Sequence, residues 1–369
     1  MTLGLTPTVA QAQSRPANLL CATRLVSQWS LTRVARETVV VSAQASSLAS
    51  LRVAAAQGYG GFLIFGATAP ADLSTTLTSL RGLEPDRAAP MIMSDDEGGG
   101  VIRFANLVGH WPWAQDMGAT MSPTRIAQEG RQVGAAMTRA GLNVDLAPVA
   151  DVDGRATWPG PSNPDGLRSF GASSLKDGVD VVAFAAGLSA AHVVSVVKHF
   201  PGLGYASANT DNAPASTQPW SVLQRGALTP FQNAIASGVS AVMMSNASVP
   251  GLTTLPAGLS SAVVGVLRHR LGFTGLIMTD ALSAVAISSR HLSVANASVL
   301  ALEAGVNQVL NGNPASPALA LQTASLTTAA IVAAVARGAL TRAQLVDDAA
   351  QVLASTNTFT CAPGASPQR

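Results

Sequence analysis

Short β-branched runs alternate along this chain with longer, alanine-rich stretches, and that alternation limits its architecture more than any other feature. Eight runs read as strands: Val39–Ser42, Gly61–Phe65, Met91–Ser94, Val144–Val149, Val193–His199, Ala241–Ser245, Leu276–Thr279 and Gln308–Leu310. Between them lie segments of helical length, among them Pro123–Ala140, Val222–Ser237, Ser260–Leu271 and Val294–Ala304. Strands joined through helices run parallel, because a parallel pair needs a crossover of roughly a dozen residues or more. Eight such units predict one α/β domain closed as a TIM-type (β/α)8 barrel, with an open doubly wound sheet as the alternative. Gly141, Gly238 and Gly305 fall between a helical segment and the next strand, where a helix C-terminal stop belongs.

Composition supports a large core. Of 369 residues, 48% are apolar and 11% charged, far from the make-up of a disordered chain. The net charge of +2 comes from 22 basic and 20 acidic residues spread without clusters, which argues against nucleic acid as a partner. No uninterrupted apolar run reaches the ~18 residues expected of a transmembrane segment. Residues 1–20 read as a leader, because Val-Ala-Gln-Ala-Gln at 9–13 contains an A-x-A-like site ending at Ala12. Residues 21–361 are expected to form the barrel and 362–369 a tail. Cys21 and Cys361 stand near the two ends, which a barrel brings together. A disulfide between them would imply a secreted or cell-envelope location; two unpaired thiols are the alternative.

In a barrel, chemistry sits at the C-terminal ends of the strands. There this chain places Asp95, Asp96 and Glu97 after the third strand, and Asp151 and Asp153 after the fourth. Lys198 and His199 end the fifth, Asn246 follows the sixth, Asp280 the seventh and Asn311 the eighth. A single strand-end Asp or Asn is equally well read as a cap on the following helix. Lysine, histidine and paired acids at neighbouring ends have no capping role. The set therefore marks an active site without naming its reaction.

Five stretches in this order resemble glycoside hydrolase family 3, and most of all its single-barrel β-N-acetylhexosaminidases. They are Ser-Asp-Asp-Glu-Gly-Gly-Gly-Val-Ile-Arg (94–103), Gly-Leu-Asn-Val-Asp-Leu-Ala-Pro-Val-Ala-Asp-Val (141–152), Arg-Ser-Phe-Gly (168–171), Lys-His-Phe-Pro-Gly-Leu-Gly (198–204) and Leu-Gly-Phe-Thr-Gly-Leu-Ile-Met-Thr-Asp-Ala-Leu (271–282). The resemblance implies a retaining β-glycosidase, a carbohydrate partner and a cell-wall substrate. It assigns Asp280 as nucleophile, and Asp95, Arg103, Arg168, Lys198, His199 and Asn246 to sugar binding. A retaining mechanism sets two catalytic groups about 5–5.5 Å apart, one attacking the anomeric carbon and one handling the proton. Lys198 and Arg168 are expected to hold Asp280 ionised.

The likeness fails on the loop after the fifth strand. That branch carries an acid/base His there, two residues after an Asp. Here Asp211 takes the Asp position, Ala213 the His position, and no His occurs between His199 and His269. Leu203 replaces a second His, Gly100 an Arg, and Asn307 a common Asp. Three readings follow: Asp211 itself supplies the proton, the enzyme works slowly on easy leaving groups, or the barrel only binds glycans or a protein.

Other chemistries have thinner support. Lys198 beside His199 would suit a Schiff-base aldolase. No His-x-x-x-His, cysteine cluster or carboxylate triad with ligand spacing is present, so neither metal nor cofactor is expected. Trp111, Trp113 and Trp158 fall in loops where sugars could stack, although tryptophan is also a routine core residue. His110 and His291 read as surface or cap residues. A monomer is expected.

Overall fold

The computed structural model describes residues 17–312, 315–356 and 359. All eight expected strands are present: β1 (Val39–Gln44), β2 (Gly61–Phe65), β3 (Met91–Ser94), β4 (Val144–Asp145), β5 (Val194–Phe200), β6 (Ala241–Met244), β7 (Leu276–Thr279) and β8 (Val309–Leu310). They pair in parallel in the order β8-β1-β2-β3-β4-β5-β6-β7. A parallel bridge between Met278 and Gln308 joins β7 to the start of β8 and completes the ring. The fold is the (β/α)8 barrel.

The two-residue period of a strand explains its two cores. Val40, Leu63, Met91, Met93, Val196, Met243 and Met278 point inward and fill the barrel. Their neighbours Val39, Val41, Phe62, Ile64, Ile92, Val242 and Ile277 point outward and bury against the helices. Because both faces are buried, the strands read as continuous apolar runs.

Local chemistry accounts for the departures. The expected strand Val144–Val149 pairs continuously only over Val144–Asp145, since Pro148 has no N–H for the ladder. Val149 then rejoins through a bridge to Lys198. The expected helix Val222–Ser237 is broken by a wide turn at Leu223–Ala227, and Pro230 falls in the first turn of the helix Thr229–Ala236, where its missing donor costs nothing. A hairpin that the strand pattern did not foretell pairs Asp96–Gly98 with Val101–Ile102. Its turn needs glycine, because Gly99 has φ +56 and a Cβ there would lie 2.0 Å from the Trp113 ring.

The helix Ala17–Ser27 packs on the helix Arg342–Ser355, so the two ends of the described chain meet on one flank. It begins inside the stretch read as a leader; residues 1–16 and the tail 362–369 are outside the described residues. Cys21 sits on this first helix, and its expected partner Cys361 also lies outside the described residues. The helix Pro317–Ala336 is long and apolar enough to cross a membrane by length and composition alone, although threonine, serine and glutamine interrupt its apolar run. Its Ala320, Ala324, Thr327, Thr328, Ile331 and Ala334 are buried, and it packs on β1 and the helix Val294–Ala304 as an outer helix of the barrel.

Candidate active site

The strand ends enclose a cavity of about 590 Å³. Its floor is apolar, from Leu63, Met243 and Leu310, and its wall carries Asp95, Glu97, Arg103, Arg168, Lys198, His199, Asp211 and Asp280. These eight groups come from the ends of four strands, β3, β4, β5 and β7, and the loops beyond them, so closure of the barrel brings remote segments together.

One side of the wall is an interlocked ion network. Arg168 donates to Glu97 in bidentate fashion, Nε to Oε2 at 2.7 Å and Nη2 to Oε1 at 2.9 Å. Lys198 Nζ reaches Glu97 Oε1 at 2.6 Å and Asp95 Oδ1 at 2.9 Å. Arg103 Nη2 contacts Asp95 Oδ2 at 3.3 Å. Burial alone would push both carboxyls up, but the cations outweigh it: Asp95 falls below its ordinary value through Lys198 and Arg103, and Glu97 falls further through Arg168 and Lys198. Burial likewise opposes the charge on Lys198, and Asp95 and Glu97 more than offset it. The charges of Asp95, Glu97, Arg168 and Lys198 are thus fixed at neutral pH, and their geometry is set before anything binds.

Beneath the network lies a second buried group. His199 Nδ1 is 2.7 Å from Asp151 Oδ2, and the Lys198–His199 peptide is cis. Burial and the neighbouring Arg168 lower His199 to about 4, so the ring is neutral at pH 7. A neutral ring facing Asp151 carries its proton on Nδ1, leaving Nε2 as an acceptor 3.5 Å from Arg168 Nη2. Desolvation raises Asp151 to about 6 and Asp165 well above its ordinary value. A proton held on Asp165 and shared with Asp151 satisfies this pair. Asp151, Asp165 and His199 also bring potential ligand atoms within 4.8 Å of one another. The Arg168 charge beside them works against a cation, and the shared proton accounts for the cluster.

The opposite side holds Asp280 and the loop 201–214. Asp280 follows β7, its backbone N–H bonds Met244 O at 3.0 Å, and its Oδ1 accepts from Ala281 N at 2.7 Å. Asn246, expected to touch sugar, is buried outside the cavity lining and donates to Ala281 O at 2.8 Å, so it braces the backbone beside Asp280. On the loop, Leu203 packs with Ala206 and Ala247, and its N–H bonds Asp151 Oδ1 at 2.6 Å. Asp211 stands at the mouth with its N–H capped by Asn209 Oδ1 at 2.9 Å, and Ala213 N bonds Asn209 O at 3.0 Å.

Asp211 is exposed at the surface, yet the surrounding walls desolvate its carboxyl and raise it above the ordinary range. Desolvation also raises Asp280; His199 pulls it down and the charge of Asp211 pushes it up. The expectation that Lys198 and Arg168 hold Asp280 ionised therefore needs correction. Both cations are engaged by Asp95 and Glu97, and Lys198 acts on Asp280 only weakly.

Of the residues singled out from sequence, Asp95, Arg103, Arg168, Lys198, His199, Asp211 and Asp280 meet in one cavity. Glu97 was noticed only as one of a run of acids, whereas it is the hub joining Arg168 to Lys198. Asp165 was missed: nothing local marks it, and it matters only because the chain folds it against Asp151.

Comparison with known proteins places the chain in a family. The model of the glycosyl hydrolase family 3 N terminal domain matches residues 44–355. The chain is 34% identical over 229 residues to the β-hexosaminidase LpqI of Mycobacterium tuberculosis, covering 60% of this chain and 58% of that protein. It thus spans less than two thirds of that relative's length. It is 33% identical over 307 residues to an uncharacterized secreted glycosyl hydrolase of Arthroderma benhamiae, covering 80% of this chain and 84% of that one. A family 3 glycosyl hydrolase structure from Mycobacterium smegmatis superposes with a TM-score of 0.80 at 29% identity, over 90% of this chain and 98% of that one. The structure of M. tuberculosis LpqI gives 0.81 at 26%, over 91% and 96%. The family match runs from the end of β1 into the final helix and takes in every cavity residue described above, and the chain belongs to glycoside hydrolase family 3.

Proposed function

We propose that this chain is a retaining glycoside hydrolase that releases terminal β-linked N-acetylhexosamine, with Asp280 as nucleophile and Asp211 as acid/base. The observation that carries this reading is that two carboxyls, Asp280 and Asp211, line one cavity with a fixed ion network, each raised by desolvation and Asp280 raised further by the charge of Asp211. Two interacting carboxyls share protons unequally, which is the condition for one to attack as a carboxylate while its partner donates. Asp280 carboxylate attacks the anomeric carbon and Asp211 protonates the departing oxygen; a water activated by Asp211 then releases the sugar. Asp95, Arg103, Arg168, Lys198 and His199 orient the hydroxyls. The name of the mycobacterial relative supports N-acetylhexosamine as the sugar.

Cell-wall glycans as the natural source, an extracytoplasmic location, a monomeric state and a Cys21–Cys361 disulfide belong to the same proposal; the secreted fungal relative supports the location. The test is turnover of an aryl β-N-acetylglucosaminide by the purified chain and by Asp280→Asn. Unchanged turnover in Asp280→Asn refutes the nucleophile. The second reading, a barrel that binds glycans without cleaving them, draws on Ala213 and Leu203 standing where the hexosaminidase branch has histidines. Glycan binding without turnover on a broad β-glycoside panel would establish it.

A further inference from the structure

Trp158 is the only exposed tryptophan among the described residues: 71% of it is accessible, while the other four are buried or half-buried. A large apolar ring left in water forgoes a substantial burial energy, so its exposure calls for an occupant. The loop that carries the ring is tied down. Leu167 N bonds Thr157 O at 3.0 Å, Asn163 Nδ2 bonds Thr157 Oγ1 at 2.6 Å, and Gly160 and Asn163 exchange backbone bonds at 2.7 and 3.2 Å. Trp158 stands edge-on to Trp113, with ring centroids 5.1 Å apart and an interplanar angle of 88°.

Position adds the second half of the argument. The next three residues, Pro159, Gly160 and Pro161, line the active cavity, as does Val101 of the hairpin arm. Trp158 closes over that hairpin: a Cβ on Gly100 would lie 3.2 Å from its ring and 2.8 Å from Trp113. The exposed ring therefore sits on the rim between two cavity walls, backed by a second tryptophan. The cavity itself is polar and charged, and it suits a hydroxylated ring.

We propose that Trp158, braced by Trp113, is the platform on which the leaving-group sugar of a β-linked oligosaccharide stacks. A β-linked pyranose with equatorial substituents presents flat faces of C–H groups, which match an exposed indole. A rigid aromatic offers that contact at little entropic cost. The proposal rests on the glycosidase reading and narrows it to substrates of at least two sugars, one in the cavity and one on the rim.

The test compares wild type, Trp158→Ala and Trp158→Phe on N,N′-diacetylchitobiose and on methyl β-N-acetylglucosaminide. In Trp158→Ala the ratio of kcat/KM for the disaccharide to that for the methyl glycoside should fall roughly tenfold, mainly through KM. Trp158→Phe should restore most of the ratio. An unchanged ratio in Trp158→Ala overturns the platform. If wild type cleaves neither compound, the glycosidase reading fails separately and fluorescence decides the platform. Quenching by the disaccharide that vanishes in Trp158→Ala supports it. Quenching that persists in the variant, or no quenching of wild type, overturns it.

Discussion

The two walls of the cavity are built differently. On one, Glu97, Lys198 and His199 are almost fully buried, Arg168 and Asp95 nearly so, and every charge has a partner within 3.3 Å. On the other, Asp211 stands exposed on a loop held mainly by backbone bonds, with Leu203 as its buried anchor. A network of mutually satisfied charges admits little substitution, because removing one member strands the others in a dry site. A loop tied by its own backbone can exchange side chains without loss of fold. The departure at Ala213 falls on the second wall, where change is cheap; those at Leu203 and Gly100 fall at packed positions, one anchoring the loop and one in the hairpin beside Trp113.

The comparison can be broken in rate. Asp280→Asn should lower kcat by roughly 10⁴-fold or more, because no other carboxyl follows β7. Asp211→Ala should cost about 10²–10⁴-fold on glycosides with poor leaving groups and little on activated aryl glycosides. Wild-type activity should fall as pH rises through the raised Asp211 value, where the acid loses its proton, and that limb should be absent in Asp211→Ala. Equal loss on both substrate classes removes Asp211 from the acid/base role.

It can also be sharpened in stability. Glu97→Gln leaves Lys198 and Arg168 short of a counter-charge in a buried site and should cost about 3–5 kcal/mol in denaturant unfolding. Asp211→Ala should cost less than about 0.5 kcal/mol in the same measurement. Comparable losses would mean that the walls are not different in kind.

A pH-dependent effect is expected at the opposite end of the barrel. There Asn307 Nδ2 donates to Asp348 Oδ1 at 2.8 Å, and burial raises Asp348 to about 7. The folded state then holds a proton that the unfolded state has released, so Asp348 contributes stability at low pH that is lost as pH rises from about 4 to about 7. Asp348→Asn has no such ionisation. Its Tm should gain on wild type by roughly 2–4 °C across that window, with activity at fixed pH unaffected. A Tm difference independent of pH would show that Asp348 is not buried as a neutral acid.

Much of the framework was legible because it depends on short-range pattern. Eight apolar runs separated by helical segments leave few closed arrangements, and Met91–Ser94 and Leu276–Thr279 matched residue for residue. The polar residues after β3, β5 and β7 were legible for the same reason, since a strand end in a barrel has one destination. Asn246 lies outside the cavity lining; following a strand does not settle whether a side chain turns into the cavity or back under it. The hairpin at Asp96–Ile102 was hidden in a Gly-Gly-Gly stretch that reads locally as a turn and shows its pairing only once Trp113 is packed against Gly99.

By itself the sequence determined the barrel, its register of apolar faces and the set of chemical groups at its mouth, because periodicity and strand-end position are properties of neighbouring residues. Only the tertiary structure decided how those groups spend their charge. Lys198 and Arg168 went to Asp95 and Glu97 instead of Asp280, His199 became neutral, and Asp165 came to share a proton with Asp151. Those outcomes depend on distances across the ring and on removal from water. Both are settled when remote strands close, and neither is written in any local stretch of chain.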